Sequence, residues 1–265
     1  MKQDGLPGDL HGIVGFARPD KQIRLAPEAS PKIGDAKFFL EKFVFEDKIE
    51  SAFTTRLIKG YISWVDIGEP DSREQVHEPA YMGVYDDYFW SLNNQGIRIG
   101  EDDAFAFTYS KHEYGQFEGG RDLYTVFDTG SPDIYLSILW FEAFVEQLYG
   151  YAGVEYTFSQ GYSFSTCEGN FPNLYFMFDT RWLQVPKEDY LAELLTFENQ
   201  PSLCRLKIRA IDAPFNIMGM PVFLDYYVTH NWELGFMAWS PHRDSKKPAI
   251  ESGDNVKWKE LQITY

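Results

Sequence analysis

The sequence predicts an all-β fold, β-rich with a few short helices. Three observations predict it. Aromatic residues make up 17% of the chain, with 22 Phe and 17 Tyr, and together with frequent β-branched runs they favour a pleated, half-buried surface. Apolar runs of strand length recur at short intervals. One segment alone carries a clean helical spacing over several turns.

The elements follow in order. Residues 1–35 are rich in Gly and Pro, with one apolar run at 12–16. Residues 37–49 read as a short helix with Phe38, Phe39, Phe43 and Phe45 on its apolar face. Residues 52–57 and 60–68 are consecutive strands with a hairpin at Lys59-Gly60. Strands at 80–84, 88–93 and 96–99 come next, then a charged turn at Glu101-Asp102-Asp103. Residues 123–127 form another strand. Residues 137–149 are the best helix: Ile138, Phe141, Val145 and Leu148 fall three and four apart, on one face. Gly150 sits where a helix stop belongs. Segments 156–158, 174–178, 182–185, 204–210 and 226–229 are strand-like, and 187–195 spans one or two helical turns. Residues 241–265 are polar and charged and read as a tail.

Composition bounds the function. The length suits one large domain or two small ones. A net charge of −16 argues against nucleic-acid and anionic-membrane partners, since phosphates need a cationic face. No apolar run reaches membrane-spanning length. The opening residues, Met1 to Pro7, carry no signal-peptide core, so the compartment stays open. Five His without His-Glu-x-x-His spacing and two cysteines give no metal site, and no cofactor is expected. Taken alone, Cys167 and Cys204 are either a disulfide or two buried thiols.

The most informative residues are Asp128-Thr129-Gly130-Ser131, at the end of strand 123–127. A strand that delivers a carboxylate into a tight Thr-Gly turn can hold a catalytic acid. Two such carboxylates around one water can divide acid and base roles between them, because two like charges close together split their pKa values. The 265 residues contain this tetrapeptide once. Read without context, Asp-Thr-Gly is also an ordinary turn former.

Several segments, in this order, resemble a pepsin-like eukaryotic aspartic peptidase, specifically its C-terminal lobe. Leu10-His11-Gly12-Ile13-Val14-Gly15-Phe16 is similar to the stretch that closes the family's first lobe. Residues 60–71 resemble its Gly-rich strand pair, and Asp87 to Leu92 resemble its Gly-Tyr-Trp-Gln-Ile strand. Residues 126–131 match its second active-site turn. Phe171 to Phe176 resemble its Leu-Pro-x-Ile-x-Phe between two cysteines. Ile217-Met218-Gly219 and the following Met220 to Tyr227 resemble its Ile-Leu-Gly-Asp-x-Phe-Leu-x-x-Tyr-Tyr. Leu234-Gly235-Phe236 resembles its closing Val-Gly-Phe. The division implied is 1–35 as the end of a first lobe, 36–240 as a C-terminal lobe and 241–265 as an added polar tail, with most of a first lobe missing.

The resemblance implies roles. Asp128 is one member of the catalytic dyad. Thr129 carries a hydroxyl bond that ties two turns together, Gly130 allows close approach and gives its N–H to the carboxylate, and Ser131 orients Asp128. Ile217, Met218 and Gly219 pack beneath the turn as the crossing strand of a psi-shaped motif. Cys167 and Cys204 form a disulfide. Three positions depart from the family: His11 and Met220 stand where it has Asp, and Pro132 stands where it has Ser or Thr.

One carboxylate cannot act as acid and base together. The leading expectation is therefore an aspartic-peptidase-like protein that is not catalytic alone. It acts as a structural or binding subunit, its exposed lobe interface covered by a protein partner or a second copy. The alternative is an active aspartic endopeptidase on polypeptide substrates, with Asp128 completed by a dimer, as in retroviral relatives, or by a partner chain. A third expectation is an inhibitor- or carbohydrate-binding relative.

Overall fold

The structure, a computed structural model, describes residues 50–60, 63–85, 89–101, 104–108, 123–159, 161–194, 202–253 and 258–262. The expected helix at 37–49, the apolar run at 12–16 and the whole segment 1–35 lie outside the described residues, as do Asp87, Tyr88, Asp102 and Asp103.

The described residues begin with β1 (Ala52–Arg56) and β2 (Trp64–Ile67), an antiparallel pair. A 3-10 turn at Ser72–Glu74 precedes β3 (Ala80–Gly83) and β4 (Ser91–Ile99). Then come β5 (Ala104–Thr108), β6 (Leu123–Phe127) and β7 (Ile134–Ser137), which runs directly into α1 (Ile138–Ala152). Next are β8 (Tyr156–Ser159), β9 (Tyr162–Thr166), β10 (Leu174–Phe178), β11 (Arg181–Val185) and the one-turn helix α2 (Lys187–Tyr190). They are followed by β12 (Leu191–Leu194), β13 (Leu203–Leu206), β14 (Ile208–Ile211), β15 (Asn216–Met218) and the short α3 (Met220–Phe223). The chain finishes with β16 (Tyr226–Asn231), β17 (Phe236–Pro241), β18 (Glu251–Ser252) and β19 (Trp258–Gln262).

Three sheets result. The five-stranded sheet has the order β2-β1-β16-β17-β3. The largest has ten strands, along the path β14-β7-β15-β6-β4-β10-β11-β18, with β5 and β19 beside β4. A four-stranded sheet, β12-β13-β9-β8, stands apart. The fold is β-rich with short helices, as the composition leads one to expect. Its core is aromatic. Phe127 at the end of β6 packs against Phe178 (ring centroids 5.0 Å), Trp239 (5.3 Å) and Phe223 (6.0 Å). One helix face adds to it: Phe141, Phe144, Val145, Leu148, Tyr149 and Ala152 are all buried.

Five local expectations change. Residues 88–93 and 96–99 are not two strands, because β4 runs through. Gly96 marks a bulge whose register slips opposite Met177 and Phe178, and Asn94 Oδ1 accepts from the Gly96 N–H at 2.9 Å. The strand expected at 204–210 breaks at Lys207. Its N–H donates to Tyr190 O and its carbonyl accepts from the Ile134 N–H, so β13 stays in the small sheet while β14 joins the large one. The α1 helix outlasts Gly150 and stops at Gly153, whose φ of +69° suits glycine at a helix end. Ile138, expected on the buried face, is exposed. Residues 242–253 do not behave as a polar tail: β18 pairs with β11, His242 bridges to Gln75, and Lys247 is buried. Further on, β19 pairs in parallel with β5.

Candidate active site

Strand β6 places the acid. Leu123, Thr125 and Phe127 point inward and are buried, with Tyr124 and Val126 between them half-buried. Anchored by Phe127 in the aromatic core, the next residue, Asp128, emerges into solvent. The chain then reverses: the Ser131 N–H donates to Asp128 O at 3.1 Å. Both carboxylate oxygens are engaged by the turn itself. The Gly130 N–H donates to Oδ1 at 2.9 Å, and the Ser131 hydroxyl donates to Oδ2 at 2.7 Å. Hydrogen bonds to a carboxylate are stronger than neutral ones, and two of them fix its plane. A side chain at position 130 would place its Cβ 3.1 Å from Asp128 Oδ1, so glycine keeps the approach open.

A second strand crosses beneath. β15 runs parallel to β6, pairing Asn216 with Thr125, Ile217 with Val126 and Met218 with Phe127. Its other edge meets β7 antiparallel, Ile217 opposite Tyr135. The Asp128 N–H donates to Met218 O at 3.0 Å, and the Met220 N–H donates to Ser131 O at 2.8 Å. These two bonds stitch the turn to the start of α3. Gly219 sits at the tightest point: a Cβ there would lie 2.0 Å from Asp133 O and 2.5 Å from Ser131 O.

Sequence reasoning missed the residues that hold this crossing together. Asn216 is fully buried. Its Oδ1 accepts from the Ser137 N–H at 2.8 Å, and its Nδ2 points to Thr125 Oγ1 at 3.5 Å. One side chain therefore ties β15 to both neighbours. The available signal was a lone Asn opening an apolar strand, where a buried amide needs partners. Asp133 is likewise buried, 3.7 Å from the Arg205 guanidinium. Thr129 is exposed, and its hydroxyl has no hydrogen bond among the described residues. Met220 is 41% exposed at the first position of α3. Among the described residues no other carboxylate is hydrogen-bonded to Asp128, and no group of three or more His, Cys, Asp and Glu is placed to hold a metal ion.

The two cysteines lie in the small sheet. Cys204 of β13 and Cys167, just after β9, are joined by a disulfide with a Cα–Cα distance of 5.0 Å. The adjacent backbone is paired as well, the Cys167 N–H donating to Ser202 O at 3.0 Å.

A β-rich fold of packed sheets, with a carboxylate turn stitched to a crossing strand, is the architecture of a pepsin-like peptidase. Comparison with known families agrees: the model of the eukaryotic aspartyl protease family matches residues 9–236. The chain belongs to that family. No curated protein matches it closely enough to be counted as a relative. No helix among the described residues is long and apolar enough to cross a membrane.

Proposed function

We propose that this chain is an aspartic-peptidase-family protein that does not hydrolyse peptides by itself and serves as a binding or structural subunit. The observation that supports it is the solitary carboxylate. Asp128 is oriented by Gly130 and Ser131, yet no second carboxylate hydrogen-bonds to it among the described residues. A water held by one aspartate can lose a proton to it, but nothing opposite donates one to the substrate carbonyl. Met220, where the family has an Asp, and Pro132, where it has a hydroxyl, point the same way. The chain's partner is then another protein or a second copy of itself.

A second reading is favoured by the intact turn. Ser131 still holds Oδ2 and Gly130 still holds Oδ1, the arrangement that half of an acid–base pair requires. In that reading a second aspartate, from another copy or another chain, completes the dyad on a polypeptide substrate. One experiment separates the two. Purified chain is assayed on a denatured protein at acid pH, beside Asp128→Asn, with its mass measured in solution. The subunit reading expects no cleavage that depends on Asp128. Cleavage by a dimer that Asp128→Asn abolishes, and that a statine-type inhibitor blocks, overturns it in favour of the second reading.

A further inference from the structure

Away from the turn, the protein carries an open pocket of about 950 Å³. One side is formed by Arg56, Lys59 and Trp64 at the β1–β2 connection, with Pro186 and Glu188 at α2. The opposing side comes from residues 242–248, including Arg243, Lys246 and Pro248. That segment lies beyond 236, where the family match ends. The wall therefore lies outside the part of the chain that the family match covers.

The lining reverses the charge balance of the molecule. Five Lys and Arg face three Asp and Glu there, in a chain with 24 Lys+Arg and 40 Asp+Glu. Most of the acids are already committed. Asp244 accepts from Arg56 at 2.6 Å, and Asp225 lies 3.3 Å from His242 Nε2. Behind the wall, Glu74 takes the other arm of Arg56 and approaches Arg243 at 3.3 Å, while Asp189 lies 3.9 Å from Lys247 and 3.8 Å from Lys59. Among the described residues Glu188 has no ion pair, which leaves it as a lining acid that opposes an anion.

Lys246 is exposed and forms no ion pair among the described residues. Arg56 is 2% exposed, and its Nε–H has no acceptor. That nitrogen has almost no accessible surface, and the other two already serve Glu74 and Asp244, so Arg56 is a fixed cation of the wall rather than a free donor. Beside them lies apolar surface. The Arg56 guanidinium stacks 4.2 Å from the centroid of the Trp64 ring, and Ile58, Pro186 and Pro248 extend the dry part of the lining. Pockets that pair an apolar body with a few convergent polar groups are the usual form of small-molecule sites.

We propose that this pocket binds a small organic anion, a carboxylate or phosphate carried on a ring or short apolar body. Its charged head sits at Arg243 and Lys246, and its body rests against Trp64. The site is independent of Asp128.

The test titrates the full chain with phenyl phosphate, benzoate and neutral benzyl alcohol at matched ionic strength, read by calorimetry. At least one of the anions is expected to bind with a dissociation constant below about 1 mM, and benzyl alcohol roughly tenfold or more weaker. The phosphate and carboxylate arms tell which head group the site takes. Arg243→Gln and Lys246→Gln remove exposed side chains, so the thermal melt stays as in the parent while anion affinity falls about tenfold. Asp128→Asn leaves affinity unchanged, which keeps this result separate from the reading of the active-site turn. The proposal is overturned if neither anion binds saturably up to about 10 mM. It is overturned equally if benzyl alcohol binds as tightly, or if both Gln variants bind like the parent.

Discussion

Gly219→Ala tests how the candidate site is built. Gly219 has φ −87° and ψ −166°, extended backbone that any residue adopts, so backbone strain plays no part. The cost is purely steric. The added methyl would meet Asp133 O at 2.0 Å and Ser131 O at 2.5 Å, and both contacts are backbone atoms that cannot swing aside. Relief requires the turn and α3 to separate by about 1 Å, which stretches the bond from the Met220 N–H to Ser131 O. Overpacking costs roughly 1–3 kcal/mol, and the lost hydrogen bond about 1 more, so about 3 kcal/mol is expected. Gly253→Ala is the control. Its Cβ would come within 1.8 Å of Met177 Cε, the free end of a flexible side chain that can turn away, so the loss stays under about 1 kcal/mol. Equilibrium urea unfolding reads both, as a shift in midpoint at constant slope. Thermal melting should fall by roughly 6–12 °C for Gly219→Ala. If Gly219→Ala unfolds within about 0.5 kcal/mol of the parent, or no earlier than Gly253→Ala, the close approach of crossing strand and turn is refuted.

Three further outcomes are expected. Gly150→Ala should stabilise the protein by about 0.5 kcal/mol, because Gly150 is an exposed residue in the last turn of α1 with nothing within 4 Å of a new Cβ; urea midpoints of the two proteins check it. Reducing the Cys167–Cys204 disulfide, or replacing both with Ala, should cost roughly 3–4 kcal/mol for a loop with a sequence separation of 37; unfolding with and without reductant measures it. His230 stacks 4.4 Å from Phe53 and edges against Trp90, and burial pushes its imidazole down to about 3. The folded state thus keeps it neutral while the unfolded chain binds a proton below about 6.5. Its contribution is complete above that pH and is lost as pH falls towards 3, with a slope of up to about 1.4 kcal/mol per pH unit. Unfolding free energies measured from pH 7 to 4 should show a shallower slope in His230→Phe; an unchanged slope refutes the assignment.

Legibility in the sequence followed the range of the interactions. The bonds that shape Asp128 span two and three residues, from Gly130 and Ser131, so a tetrapeptide suffices to indicate them. The α1 periodicity could be read, yet its end could not. Gly150 and Gly153 look alike in sequence, and the buried Tyr149 and Ala152 carried the helix past the first of them. The break at Lys207 was invisible, since apolar patterning is continuous across 204–210 and the partners that divide it, Tyr190 and Ile134, are distant in sequence. Asn216 passed unnoticed because its value lies in reaching Ser137 and Thr125, 79 and 91 residues away.

By itself, the sequence determined a β-rich chain of the aspartic-peptidase family with one Asp-Thr-Gly-Ser turn, because strand propensity, turn chemistry and motif order are properties of neighbouring residues. Tertiary structure alone decided what lies under and beside that turn. It seated Gly219 against backbone, buried Asn216 between strands, and folded residues 242–253 back as the wall of a charged pocket. Polar and charged residues such as Arg243 and Lys247 read as a solvated tail until distant partners are known. The pairing of β18 with β11, some seventy residues earlier in the chain, brings those partners within reach.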